Sequence, residues 1–79
     1  MTDLKETLCN IAKAIVDHPD DVQILETEEN GKVTLVLSVA ESDMGMVIGK
    51  GGKIAKAIRT VMRAAASTDN KEVSVVIRD

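Results

Sequence analysis

The sequence predicts an α+β fold in the order α-β-β-α-α-β, with a three-stranded mixed sheet covered on one face by three helices. Three observations carry this. Two stretches, 4–16 and 53–66, repeat apolar residues at helical spacing. Asn30-Gly31 separates two strand-like runs, the strongest short hairpin signal, because both turn positions need positive φ. A last alternating run at 71–78 follows the second long helix, and a βααβ crossover returns it parallel to the strand before it, right-handed.

Each element has its own reason. In the first helix Leu4, Leu8, Ile11 and Ile15 recur at 4, 3 and 4 residues, with Ala12 and Val16 widening the stripe. Asp3 and Glu6 have capping-box spacing. Pro19 stops the helix by pushing His18 out of the α region. The hairpin strands are 22–28 and 32–40. With Glu29 opposite Lys32, Val22 meets Val39, Ile24 meets Leu37, Glu26 meets Leu35 and Glu28 meets Val33. The other face carries Leu25 opposite Val36, between Thr27/Thr34 and Gln23/Ser38. Glu41, Ser42 and Asp43 end the strand and offer caps for a short helical stretch at 44–48. Gly49-Lys50-Gly51-Gly52 is a tight turn, since three glycines in four residues do not sit inside a helix without cost. Ser67-Thr68-Asp69-Asn70 is a loop by composition, and Val73, Val75 and Ile77 share one face of the last strand. No internal repeat, linker or low-complexity segment interrupts the pattern, so 1–79 reads as one domain with a helix-turn-helix at 44–66.

Composition narrows the function classes. The chain has 79 residues, net charge −3, one cysteine and no Phe, Tyr or Trp. Cys9 has no partner for a disulfide, which suits a reducing cytoplasmic setting. Charged residues interrupt the first twenty positions, and no apolar run approaches the roughly 18–20 residues that span a bilayer, so neither a signal peptide nor membrane insertion is expected. Base stacking on aromatic side chains is excluded. The average charge also argues against nucleic acid.

The distribution of charge says otherwise. Residues 1–43 carry ten acids against three lysines, a balance of −7. Residues 44–68 contain Lys50, Lys53, Lys56, Arg59 and Arg63 and no acid, and the remainder is −1. At about 100° per residue, Lys53, Lys56, Arg59 and Arg63 fall on one side of the second long helix. Ile54, Ala57, Ile58, Val61, Met62 and Ala65 fall on the other, which is the expected buried face. An ordinary solvated face mixes signs, because Glu–Lys pairs stabilise helices and like charges do not.

The segment Val47-Ile48-Gly49-Lys50-Gly51-Gly52-Lys53-Ile54 concentrates the chemistry. Gly49 and Gly52 bracket two residues, one of them basic, and a helix starts after them. A chain phosphate can approach such a turn because no Cβ blocks it, and the helix start offers free N–H groups and the positive end of its dipole. Two rival glycine motifs fail. The spacing Gly45 to Gly49 is one residue short of a P-loop, with Gly51 where the hydroxyl should be. A dinucleotide fingerprint beginning at Gly49 meets Ile54 in place of its last glycine. Cys9 and His18 stand alone of their kind, so no metal site or Cys-His dyad is expected. Cys9 reads as a small core or boundary residue, His18 as a local partner for helix-end carbonyls, and Met44 and Met46 as filling for core and groove. The acids at 17–21 and 26–29 read as a solvated, phosphate-repelling side. No catalytic residue and no cofactor are called for.

These residues resemble a KH domain of the type II, prokaryotic arrangement. Val16-Asp17-His18-Pro19-Asp20-Asp21-Val22 and Asp43-Met44-Gly45-Met46-Val47-Ile48-Gly49-Lys50 further resemble the small bacterial KH proteins of the KhpA type, over essentially the whole chain. The resemblance implies binding of single-stranded RNA and work as an RNA chaperone or post-transcriptional regulator. It also implies pairing with itself or with a KhpB-type protein, and a link to cell-envelope growth and cell shape. Carried over by position, Gly49, Lys50, Gly51 and Gly52 would clamp the backbone of about four nucleotides. Ile48, Ile54 and the edge of the groove toward the last strand would support unstacked bases, and Lys53, Lys56 and Arg59 would extend the phosphate track. Two positions depart from the pattern: Met46 stands where a basic residue is common, and Gly51 where a larger polar residue is usual.

The alternative reading is a protein–protein assembly module with weak or lost RNA binding. Leu25, Val36 and Val76 would form an apolar strip across the sheet face away from the helices.

Overall fold

Val33, Leu35 and Leu37 alternate along one strand and are all fully buried, so that strand takes the centre of the sheet. The computed structural model describes residues 3–78. Its elements are α1 (Leu4–Ile15), β1 (Gln23–Glu29), β2 (Lys32–Ser38), α2 (Met44–Ile48), α3 (Lys53–Ser67) and β3 (Glu72–Arg78). Three-residue 3-10 turns at Pro19–Asp21, Glu41–Asp43 and Lys50–Gly52 connect them. The strand order is β1-β2-β3, antiparallel then parallel, as the crossover argument requires. Glu29 pairs with Lys32, Leu25 with Val36 and Ile24 with Leu37, which is the expected register.

Each helix begins and ends for local reasons. Asp3 caps α1 by accepting the Glu6 N–H at 3.0 Å. The helix stops at Ile15, just short of the expected end: Val16 turns extended and its N–H closes the last turn on Ala12 at 3.1 Å. After α3, Asn70 adopts φ 57° and Lys71 N–H returns to the Ala66 carbonyl at 3.0 Å, which redirects the chain into β3. β2 is two residues shorter than its apolar pattern, because pairing stops at Ser38 before Val39 and Ala40, and β1 is shifted by one residue from the expected 22–28.

The core lies between one sheet face and the helices. Leu4, Leu8, Ala12 and Val16 of the α1 region, Val47 of α2, and Ile58, Met62 and Ala66 of α3 meet Val33, Leu35, Leu37 and Val75 there. Cys9 and Met44 are half-buried against this cluster, and Met46 is half-exposed. Glu26 and Glu28, on the same face of the outer strand β1, stay exposed, although their partners Leu35 and Val33 on β2 are buried. Glu28 instead pairs with Lys71 at 3.3 Å.

Two expectations are corrected. His18 does not serve helix-end carbonyls. Its backbone N–H donates to Asp43 Oδ2 at 2.9 Å, and its Nδ1 lies 3.1 Å from the same oxygen. Asp43 thus abandons the capping role for α2, which has no side-chain cap, and is fully buried. A buried carboxylate needs such partners, and a residue 25 positions away in sequence supplies them. The face of α3 is the other correction. Ala55, Ile58, Met62 and Ala66 are buried, while Ile54, Ala57 and Val61 are exposed. The helix is rolled by about a fifth of a turn because small alanines let its backbone approach the sheet more closely than isoleucine or valine would.

Candidate nucleic-acid interface

The turn between α2 and α3 is built on backbone that side chains oppose. Gly49 has φ 76° and ψ 171°, a region essentially confined to glycine. A Cβ there would stand 2.6 Å from Ile54 Cγ1 and 3.0 Å from the Ile54 backbone nitrogen. Gly51 and Gly52 are both left-handed, with φ 68° and 78°. Gly52 N–H donates to the Gly49 carbonyl at 3.1 Å, which closes the turn. Gly52 also holds the N-cap position of α3, with no side-chain cap and no acid in the first turn. The N–H groups of that turn therefore have no side-chain acceptor, and the dipole end is uncompensated.

Around this opening the cations gather. Lys50, Lys53, Lys56, Arg59 and Arg63 are all exposed, and among the described residues none is paired with an acid. Because α3 is rolled, Arg59 and Arg63 do not lie opposite its buried face but beside β3, while Lys53 stands on the outward side next to the turn. Arg59 Nε donates to the Val75 carbonyl at 3.2 Å, so this arginine is fastened to the edge strand. Arg59 and Arg63 with Val73, Ser74 and Val75 line a cleft of about 220 Å³ between α3 and β3.

The other flank of α3 is apolar and exposed. Ile54 is 38% and Val61 49% accessible, with Ala57 between them. Ile48, the last residue of α2, is 36% accessible. Ile48 and Ile54 thus adjoin the turn from either side, both accessible to solvent. Sequence reasoning also placed Ile54 on the buried face of α3, and the structure leaves it exposed. It named a groove edge toward the last strand but did not place Arg59 and Arg63 in it, because no sequence pattern shows how far a helix is rolled.

Among the described residues no grouping of His, Cys, Asp or Glu can hold a metal ion. Among the described residues no helix is long and apolar enough to cross a membrane.

Comparison with known proteins agrees with this geometry. Residues 5–77 match the family model described as KhpA/KhpB, KH domain. The chain is 54% identical over 74 residues to the RNA-binding protein KhpA of Clostridium acetobutylicum, covering 94% of this chain and 99% of that one. It is 46% identical over 81 aligned residues to the RNA-binding protein KhpA of Bacillus subtilis, covering the whole of both. The Caldanaerobacter subterraneus protein of the same name is 49% identical over 72 residues, or 91% of this chain and 96% of that one. The family is not an enzymatic one. On its α-β-β-α-α-β order, its glycine turn and these matches, the chain belongs to the KhpA/KhpB KH-domain family.

Proposed function

We propose that this chain binds single-stranded RNA, clamping the backbone of about four nucleotides at Gly49, Lys50, Gly51 and Gly52. The observation that carries the reading is an uncapped helix start at a glycine turn, continuous with unpaired cations, in an otherwise acidic chain. The turn amides that are not bonded within the turn, as those of Gly52 and Lys53 are, take phosphate oxygens together with the Lys50 side chain. Lys53, Lys56 and Arg59 extend the track along α3, with Arg59 fastened to β3. Ile48 and Ile54 support bases without aromatic stacking. The acidic remainder orients the strand by repelling phosphate from every other surface. The named relatives are RNA-binding proteins, which supports the same reading. Its place is the cytoplasm, as an RNA chaperone or post-transcriptional regulator. A partnership with a KhpB-type protein and a part in cell-envelope growth and cell shape rest on family membership alone.

The double substitution Lys50→Asp with Gly51→Asp tests the clamp. A Cβ at position 51 meets nothing within 4 Å, and aspartate tolerates the left-handed backbone better than most residues, so the fold should survive. Native circular dichroism with lost binding to single-stranded RNA is the expected result; unchanged binding overturns the clamp. Lys56→Ala should also reduce the slope of log affinity against log salt by about 0.7, the share of one phosphate contact.

A second reading, self-assembly, is favoured by one observation. Leu25, Val36 and Val76 stand in register across all three strands of the open sheet face, and Leu25 is 67% accessible. The exposed flank of α3 around Val61 is a second apolar surface. A dimer would present two clamps and raise apparent affinity through avidity. Sedimentation of Val36→Glu and Val61→Glu beside the parent chain distinguishes the two surfaces. A parent that stays monomeric at all accessible concentrations removes this reading.

A further inference from the structure

Asp43 is the one buried charged side chain among the described residues. It stands at the entrance of α2, where an aspartate ordinarily caps a helix, yet α2 has no side-chain cap. The carboxylate turns instead to the connection between α1 and β1. Its Oδ2 accepts the His18 backbone N–H at 2.9 Å and lies 3.1 Å from His18 Nδ1. A carboxylate only accepts, so Nδ1 carries the hydrogen of this contact.

The fold alone does not account for this arrangement. Any residue but proline at position 18 would supply the backbone donor. The ring is a second donor, and more than half of it stays exposed, so it adds little to the core. Burying the carboxylate also costs desolvation that an apolar side chain at position 43 would avoid. What the pair provides is a fixed link between two segments 25 positions apart. α2 needs one. It has five residues, Gly45 among them, and a single fully buried side chain, Val47, seats it on the core. A short rod held at one point can turn about it, and the link at its entrance removes that freedom.

We propose that the His18 ring positions the RNA clamp: by holding Asp43 it fixes the direction of α2, and with it the aim of the Gly49–Gly52 turn. This deepens the RNA-binding reading and rests on it. His18 is a positioning residue and touches no RNA. At 1.5 Å per residue α2 is about 7.5 Å long, with the Asp43 contact before its first residue and the turn after its last. Without the ring contact the helix rotates on Val47, and the free N–H groups of the turn no longer point along the line of the phosphate oxygens. Hydrogen bonds weaken as they bend, so affinity falls although every group of the clamp is still present.

The test compares the parent chain with His18→Ala, His18→Asn and His18→Gln, each checked for native circular dichroism. Binding of fluorescein-labelled oligoadenylate and oligouridylate is followed by anisotropy across a salt series. An asparagine amide nitrogen takes the place of Nδ1, whereas a glutamine amide reaches to that of Nε2, so only asparagine restores the contact. The expected result is parent affinity in His18→Asn and affinity about threefold lower in His18→Ala and His18→Gln, within the two- to tenfold that one ordinary hydrogen bond is worth. Asparagine against glutamine keeps the comparison if His18→Ala does not fold. The slope against salt should match the parent throughout. A slope smaller by about 0.7 in His18→Ala would make His18 itself a phosphate contact and overturn the proposal. In proton–nitrogen correlation spectra without RNA, the amide resonances of Gly49, Gly51 and Gly52 should move in His18→Ala and return in His18→Asn. Parent affinity in His18→Ala and His18→Gln, equal losses in His18→Asn and His18→Gln, or unmoved glycine resonances each overturn the proposal. A parent chain that binds neither oligonucleotide overturns the RNA-binding reading, and the spectra then decide by themselves whether His18 positions the turn.

Discussion

Gly49→Ala puts the geometry of the turn to a quantitative test. Two costs combine. The backbone at φ 76° and ψ 171° is nearly closed to any residue with a Cβ, a penalty of about 1–3 kcal/mol. The added methyl would also meet Ile54 at Cγ1, Cβ and the backbone nitrogen, at 2.6, 3.0 and 3.0 Å. A side-chain atom can rotate away, but the nitrogen belongs to the first turn of α3 and cannot move without the helix. Together the loss should be about 3 kcal/mol, a large share of the roughly 4–12 kcal/mol that a domain of this size commands. With no aromatic residue the chain has no useful fluorescence, so urea unfolding is followed by circular dichroism. Adding Ile54→Ala removes the closest of the three contacts and leaves the other two, so it should recover about 1 kcal/mol of the loss as coupling energy. A loss below about 0.5 kcal/mol, the ordinary range for surface substitutions, would refute both the backbone argument and the contact argument.

Two further substitutions examine features away from the turn. Asp43→Ala leaves the His18 N–H without its acceptor and should cost about 1–3 kcal/mol, read from the urea midpoint at constant slope. His18→Ala should cost clearly less, since its ring is more than half exposed and its backbone donor survives the change. Ala66→Leu adds volume at a fully buried point of α3 and should destabilise by about 1–3 kcal/mol, whereas Val61→Leu on the exposed flank should be neutral in the same measurement.

Most of the architecture was legible in the sequence, for reasons that differ by element. Strand register was readable because Asn30-Gly31 fixes the turn, and a one-residue slip would have turned Leu35 and Leu37 to solvent. The glycine turn was readable because its conformational demand is local. The rotation of α3 was not. Apolar periodicity weights Ile54 and Val61 above Ala55 and Ala66, yet close packing against a sheet favours the small residues. Nor could the sequence show that Asp43 is buried on His18, since that pairing closes a loop of 25 residues. The cleft beside Arg59 follows from both the rotation and the position of β3, neither of which is a local property.

One consequence of α2 concerns time rather than shape. A five-residue helix has no stability of its own, and two glycines on its outward face, one within it and one capping it, lower that further. What holds it is one fully buried side chain, Val47, with help from half-buried Met44 and from Asp43 at its entrance. Such an element opens and recloses many times within one lifetime of the folded chain, while β2 opens only with the whole molecule. The amides at 48–52 therefore sample solvent far more often than those of Leu35 or Leu37. A ligand seated there closes a part of the protein that is already partly ajar, and the free energy of that closing is subtracted from its affinity.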